Sequence, residues 1–183
     1  MLDPIGPSKR RFPLVDSFDR MSAQELIPSF RWDGILFPMD GLVIRQANSA
    51  DAKEICELSA ELGYPSPLDT MQQRIDVLTS LTDHAIYVAI VGGGMAGWIH
   101  VAIVHHLQAE SRAEIGGLVV GTQARSKGIG RELVAHAEKW ALRQGVNSIL
   151  VRSQIARQDA HRFYLREGYR QTKTSAVFTK VLN

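Results

Sequence analysis

The chain is poor in cysteine, in long apolar runs and in net charge, and each shortage narrows what it can be. Cys56 is the single cysteine among 183 residues. No intramolecular disulfide can form, and a structural zinc site of the multi-cysteine kind is excluded. No apolar run approaches the ~20 residues of a membrane span. The opening "MLDPIGPSKRRFPLVDSF" is too polar and too proline-broken for a signal peptide. The expectation is a soluble, cytoplasmic protein without a membrane partner. Net charge is only +2, too small by itself to imply a nucleic-acid partner. Proline is scarce beyond residue 40, because Pro4, Pro7, Pro13, Pro28 and Pro38 are five of the seven.

What is present is ordinary for a domain with a real core: 45% hydrophobic and 22% charged residues. The length suits one domain with an appendage. Residues 1–40 form a proline-rich N-terminal extension in which Phe12, Phe18, Phe30, Trp32 and Phe37 follow no clear period. Three readings of it stay open: a strap on the domain, an arm docking on the partner subunit of a homodimer, or a dispensable segment.

Residues 41–183 read as one regular domain. "GLVIRQA" is β-rich, and Asn48 or Ser49 can cap a helix carrying Ile55, Leu58 and Leu62. "GYPSP" breaks it. Asp69 can cap a second helix carrying Met71, Ile75, Leu78 and Leu81. "HAIYVAIV" and "MAGWIHVAIVHH" flank a triple glycine and read as a hairpin. "AEIGGLVV" is a further strand. Ile129, Leu133, Val134, Ala137, Trp140 and Ala141 mark a helical face that Gly145 ends. "NSILVRS" is a strand, "RQDAHRFYLRE" a helix stopped by Gly168, and "YRQTKTSAVFTKVL" a last β segment. The order β-α-α-β-β-β-α-β-α-β is that of a mixed α/β sheet flanked by helices.

One turn points to a ligand. "ARSKGIGREL" stands between the strand ending at Val120 and the helix beginning near Gly128. A helix start offers unpaired N–H groups and the positive end of the dipole, which suit a phosphate. Gly128 and Gly130 let the backbone approach it closely, and Arg125, Lys127 and Arg131 add positive charge. Two other phosphate loops fail. The P-loop needs G-x-x-x-x-G-K-S/T, and the dinucleotide fingerprint needs a glycine where Leu133 stands. The bland alternative is a glycine turn with solvated cations.

Two motifs in this order resemble the GNAT superfamily of N-acetyltransferases. Arg125, Gly128 and Gly130 match its Arg/Gln-x-x-Gly-x-Gly/Ala signature after the fourth strand. Ala160, Tyr164, Gly168 and Tyr169 match A-x-x-x-Y-x-x-x-G-F/Y on the later helix. The resemblance covers residues 41–183 and implies acetyl-CoA as cosubstrate, with no metal. It implies that Leu118, Val119 and Val120 pair by backbone with the pantetheine arm. The turn Ser126, Lys127, Gly128, Ile129, Gly130 and Arg131, with Arg125, would receive the pyrophosphate. Tyr164 would lie near the coenzyme sulfur and protonate the leaving thiolate. A phenol with a pKa near 10 suits that task.

A base is also needed, since an ammonium has no lone pair. Glu114, eleven residues before Arg125, has the spacing of the base glutamate in the family's histone-acetylating members. The alternative is an exposed strand-end carboxylate. His100 on the neighbouring strand, or water, are the rival bases. His105, His106 and Glu110 do not read as a metal site, because adjacent histidines on a strand face opposite sides. Many members have asparagine where Arg157 stands, and Gln154 is the nearest amide. The arginines Arg152, Arg157, Arg162, Arg166 and Arg170 either hold the coenzyme's 3′-phosphate or form the wet face of a helix.

The resemblance implies an N-acetyltransferase moving acetyl from acetyl-CoA directly to a primary amine. The alternative is a non-catalytic acyl-CoA binding or sensor module on the same fold. The acceptor is a small-molecule or peptide amine: an aminoglycoside, a metabolite amine or a protein N-terminus. It is expected against "ELGYPSPLDT" and the 100–113 connection, with Tyr64 and His100 as binding residues. No cluster of carboxylates to grip a polycation is apparent there, because Glu57, Glu61 and Asp69 are scattered.

Overall fold

The computed structural model describes residues 41–182. The expected proline-rich extension 1–40 lies outside the described residues, as does Asn183. Five strands form one sheet in sequence order: β1 (Val43–Gln46), β2 (His84–Val91), β3 (Gly94–Val104), β4 (Arg112–Val120) and β5 (Ile149–Val151). Neighbours are antiparallel except β4 and β5, which are parallel. The helices are α1 (Ala52–Glu61), α2 (Leu68–Ser80), α3 (Ile129–Arg143) and α4 (Gln158–Arg166).

Alternation along the strands sends side chains to two cores. From β2, Ala85 and Ala89 join Ile99, Val101, Leu133, Ala137 and Trp140 under α3. Ile86 and Val88 face the other way, onto Ala52 and Ile55 of α1 and Ile75 of α2. Phe163 of α4 packs against the α3 side. The sheet therefore has α3 and α4 on one face and α1 and α2 on the other.

Local chemistry sets the helix ends. Asn48 accepts the Ala50 amide at 2.9 Å while Asp51 accepts the Asn48 amide at 2.9 Å, a reciprocal capping box that opens a short 3₁₀ turn leading into α1. Asp51 also holds Arg45 of β1 through two contacts of 2.6 and 2.7 Å. At the second helix the cap is Pro67 rather than Asp69, which sits inside the first turn. Proline's fixed φ suits the approach to a helix, and the acid complements the dipole from within it. Gly145 and Gly168, with φ of +80° and +89°, follow α3 and α4, the left-handed step that ends helices.

One expected element is missing. Residues 170–182 carry no strand, and Val177 and Phe178 are 84% and 92% exposed. A strand is defined by a ladder partner, and none of the described strands supplies one to this segment.

Candidate active site

The site begins where two strands part. β4 and β5 pair only through Ala113–Ile149, Glu114–Leu150 and Ile115–Val151. β5 then stops, while β4 continues along β3 to Val120. From Gly116 onward none of the described strands lies beside the β5-side edge of β4, and its backbone groups border a slot. The register of β3 against β4 shifts at His100/Val101, leaving Gly116 without a partner. Such a bulge bends the strand. The two glycines are required by what packs on them. A Cβ on Gly116 would lie 2.7 Å from His100 Nδ1, and one on Gly117 would lie 2.8 Å from two ring atoms of Trp98.

A cavity of about 420 Å³ opens from this slot toward α1 and α2. Its walls include Ser59 and Tyr64 from the α1 side, Arg74 and Leu78 from α2, and Trp98 and His100 from β3. Gly116 to Val119 line it from β4, and Arg152, Gln154, Arg157 and Tyr164 from the β5–α4 side. Of the residues expected at the site, Tyr64, His100, Leu118, Val119, Gln154, Arg157 and Tyr164 thus share one cavity. Across its mouth Gln154 Nε2 lies 3.5 Å from the Tyr64 hydroxyl, and the Arg157 guanidinium sits 5.8 Å from the Tyr64 ring centre.

The basic turn stands at the head of α3. Ser126 and Gly128 both have positive φ, +62° and +80°, and Gly128 is the N-cap. A Cβ on Gly128 would meet nothing within 4 Å, so its backbone angle, not space, calls for glycine. Gly130 is the opposite case. A Cβ there would lie 3.3 Å from the Phe163 ring and 3.6 Å from Val120, so its small size lets α3 begin against α4 and β4. Arg125 Nε donates to the Val120 carbonyl at 3.2 Å, tying the turn to the end of β4. Arg131 lies 3.7 Å from the Glu167 carboxylate, which Arg166 also approaches at 3.4 Å. The turn has the amides, dipole and cations that a pyrophosphate needs, next to the open edge of β4 that an extended pantetheine chain needs. The chain's own residues therefore fit coenzyme A.

Titratable groups at the cavity are perturbed by burial. Burial pushes the Tyr164 phenol up to about 12, so it holds its proton throughout the physiological range. Burial first, and His84 second, pull His100 down to about 4. His84 Nδ1 lies 3.0 Å from His100 Nε2, with the rings 8° from parallel, and His84 Nε2 lies 3.9 Å from Asp83. Glu114 is outside the cavity wall. Its side chain is only 17% exposed and is ion-paired with Arg152.

Sequence reasoning missed two contributors and gave a third no place of its own. Arg74 had a usable signal, because Met71, Arg74, Ile75 and Leu78 fall on one helical face. His84 had none without the hairpin register, which sets Ile86 opposite His100. Arg152 was noticed only as one of a row of arginines.

Comparison with known proteins agrees with this fold. A model of the acetyltransferase (GNAT) family matches residues 52–169. An aminoalkylphosphonate N-acetyltransferase from Salmonella typhimurium is 35% identical over 142 residues, covering 76% of this chain and 90% of that protein. An aminoglycoside N(6′)-acetyltransferase type 1 from Serratia marcescens is 24% identical over 121 residues, 64% of this chain and 83% of that one. Among solved structures, an aminoglycoside N-acetyltransferase in complex with CoA superposes with a TM-score of 0.70 at 18% identity, covering 79% of this chain and 99% of that one.

Proposed function

The chain belongs to the acetyltransferase (GNAT) family and is an N-acetyltransferase, and on that premise we propose that it moves acetyl from acetyl-CoA directly onto a primary amine bound between α1–α2 and the slot of β4. The observation that carries this reading is that one cavity gathers the β4 edge at Gly116–Val119 with Tyr64, His100 and Tyr164, while the anion-ready turn is tied to the end of the same strand. The neighbouring fold solved with CoA supports the same cosubstrate.

Acetyl-CoA supplies the thioester acyl group. Backbone amides of Leu118 and Val119 orient it along β4, and the 125–131 turn anchors its phosphates. Tyr164, protonated at neutral pH, gives its proton to the departing thiolate, which the same burial makes a stronger base than the thiolate of a free thiol in water. Of the two side chains that rival water as the base, the contacts favour His100, because it lines the cavity while Glu114 is taken up by Arg152. The acceptor's ammonium loses one proton to solvent before attack; the amine nitrogen then acidifies sharply as it bonds to the carbonyl carbon, so an imidazole of low basicity accepts the second proton. With His100 receiving at Nδ1, beside Gly116, its Nε2 proton passes to His84 Nδ1, and the His84 Nε2 proton leaves beside Asp83. Glu114 then acts as a positioning residue that holds Arg152 at the cavity wall.

The test is coenzyme-linked stability together with turnover. At one hundred times its Kd, acetyl-CoA should stabilise the native state by about 2.7 kcal/mol, roughly 5–10 °C in Tm for a chain of this size. Free thiol should be released only when an amine is added. Absence of both the shift and the thiol would overturn the reading.

A further inference from the structure

The charge on the cavity wall is one-sided. Among the described residues its charged side chains are Arg74 from α2, Arg152 after β5 and Arg157 before α4, and none of the described aspartates or glutamates lines it. Glu114 compensates Arg152. Among the described residues no carboxylate pairs with Arg74 or Arg157. Arg74 instead donates to the Ser66 hydroxyl at 3.2 Å, and Arg157 rests on the Tyr64 ring. Two guanidiniums from different elements thus converge on the link between α1 and α2, where Tyr64 and Ser66 stand two residues apart.

The nearby acids do not offset them. Glu57, Glu61 and Asp69 are exposed, none lines the cavity, and Glu61 accepts the Thr122 amide at 3.1 Å. His100, held neutral by burial, adds no charge of either sign to the wall. A polycationic acceptor would bring several ammonium groups against two uncompensated arginines with no carboxylate to receive them. An acceptor with one amine and one oxyanion has the matching pattern. Its anion can take paired N–H donors from a planar guanidinium, while its amine reaches the uncharged end near His100, Gly116 and Tyr164.

We propose that the acceptor is a small zwitterion, a primary amine carrying a phosphonate, phosphate or carboxylate a few bonds away, and that Arg74, with Arg157 across Tyr64, grips its anion. This rests on the acetyltransferase reading above and deepens it. The same arginine chemistry could instead serve the phosphates of the coenzyme, so the experiment separates the two anions.

Initial rates of thiol release are measured for 2-aminoethylphosphonate, β-alanine, the uncharged comparator propylamine and the polycations kanamycin and spermidine, with wild-type protein and with Arg74→Gln and Arg74→Lys. The expected order has the anionic amines at least 10-fold above propylamine in kcat/KM, with the polycations lowest. Arg74→Gln should raise KM for the anionic amines by about 10- to 100-fold, the scale of a lost charge-assisted contact. It should leave propylamine turnover and the KM for acetyl-CoA unchanged, and Arg74→Lys should restore part of the loss. A preference for propylamine or the polycations overturns the proposal while leaving the acetyltransferase reading intact. So does a rise in the acetyl-CoA KM instead, which assigns the arginine to the coenzyme. If acetyl-CoA raises Tm but none of these amines is acetylated, titration calorimetry of 2-aminoethylphosphonate into the protein–CoA complex decides. Binding that Arg74→Gln weakens supports the proposal, and no binding overturns it.

Discussion

In the proposed mechanism Tyr164 and the two histidines each act through single atoms, so their substitutions read out distinctly. Tyr164→Phe keeps the ring that packs 5.1 Å from Phe163 and 5.4 Å from Tyr169 and removes only the proton. We expect kcat to fall by about 10²–10⁴-fold, with the acetyl-CoA thermal shift retained. An unchanged kcat at every pH would show that water or another group protonates the thiolate. For the base, His100→Gln should lower kcat and His84→Gln should lower it less, because water can replace the outer imidazole. Glu114→Gln should act mainly on KM by releasing Arg152. A Glu114→Gln enzyme that loses kcat and its low-pH limb, beside an active His100→Gln enzyme, would return the base role to Glu114. The sequence made Tyr164 visible through its motif. It left the base open because proximity between His84 and His100 comes from cross-strand register, a property of two strands together.

At the scale of elements, the turn before α3 combines two glycines with different reasons for being there. Gly128 has open space around its Cβ position but a left-handed backbone, whereas Gly130 has an ordinary backbone but Phe163 against it. Gly128→Glu should therefore fold at a cost of about 1–2 kcal/mol for the backbone angle and place a carboxylate where the pyrophosphate is proposed to sit. It should abolish the acetyl-CoA thermal shift, which differential scanning fluorimetry measures directly. A retained shift would move the phosphates away from this turn. Most elements were legible because their apolar periods are clean: "HAIYVAIV" alternates between two cores, and α3 repeats its buried face over 15 residues. The last segment was misread for the same reason. "SAVFTKVL" has the composition of a strand, but pairing needs a neighbour that composition does not announce. The widening of β4 from β5 was hinted at by Gly116–Gly117, yet the side chains that demand those glycines, His100 and Trp98, come from another strand.

Over the whole molecule, the buried ionisable groups make stability depend on pH in two separate windows. His100 is neutral in the fold, its pKa brought from 6.5 to about 4 by burial and by His84. The unfolded chain binds a proton there more readily, so the stabilisation is complete above about pH 6.5. It is lost progressively as pH falls toward 4, by on the order of 3 kcal/mol at most. Asp51 behaves as a paired carboxylate. The hydrogen bonds from Arg45 hold it below its ordinary 3.8, ahead of the opposing effect of burial. Its contribution is present above that value and disappears only as pH falls below it. Urea midpoints taken from pH 7.5 to 3 should therefore decline in two stages. His100→Asn should flatten the first stage, between about 6.5 and 4, and leave the second. Asp51→Asn should lower the unfolding free energy by about 1–3 kcal/mol at neutral pH, through the lost capping box and the stranded Arg45, with a correspondingly lower midpoint, and flatten the decline below 4. A wild-type midpoint that stays level from pH 6.5 to 4, with His100→Asn tracking it, would mean that His100 titrates normally in the fold and is open to water. The proton path through His84 would then lose its neutral inner end.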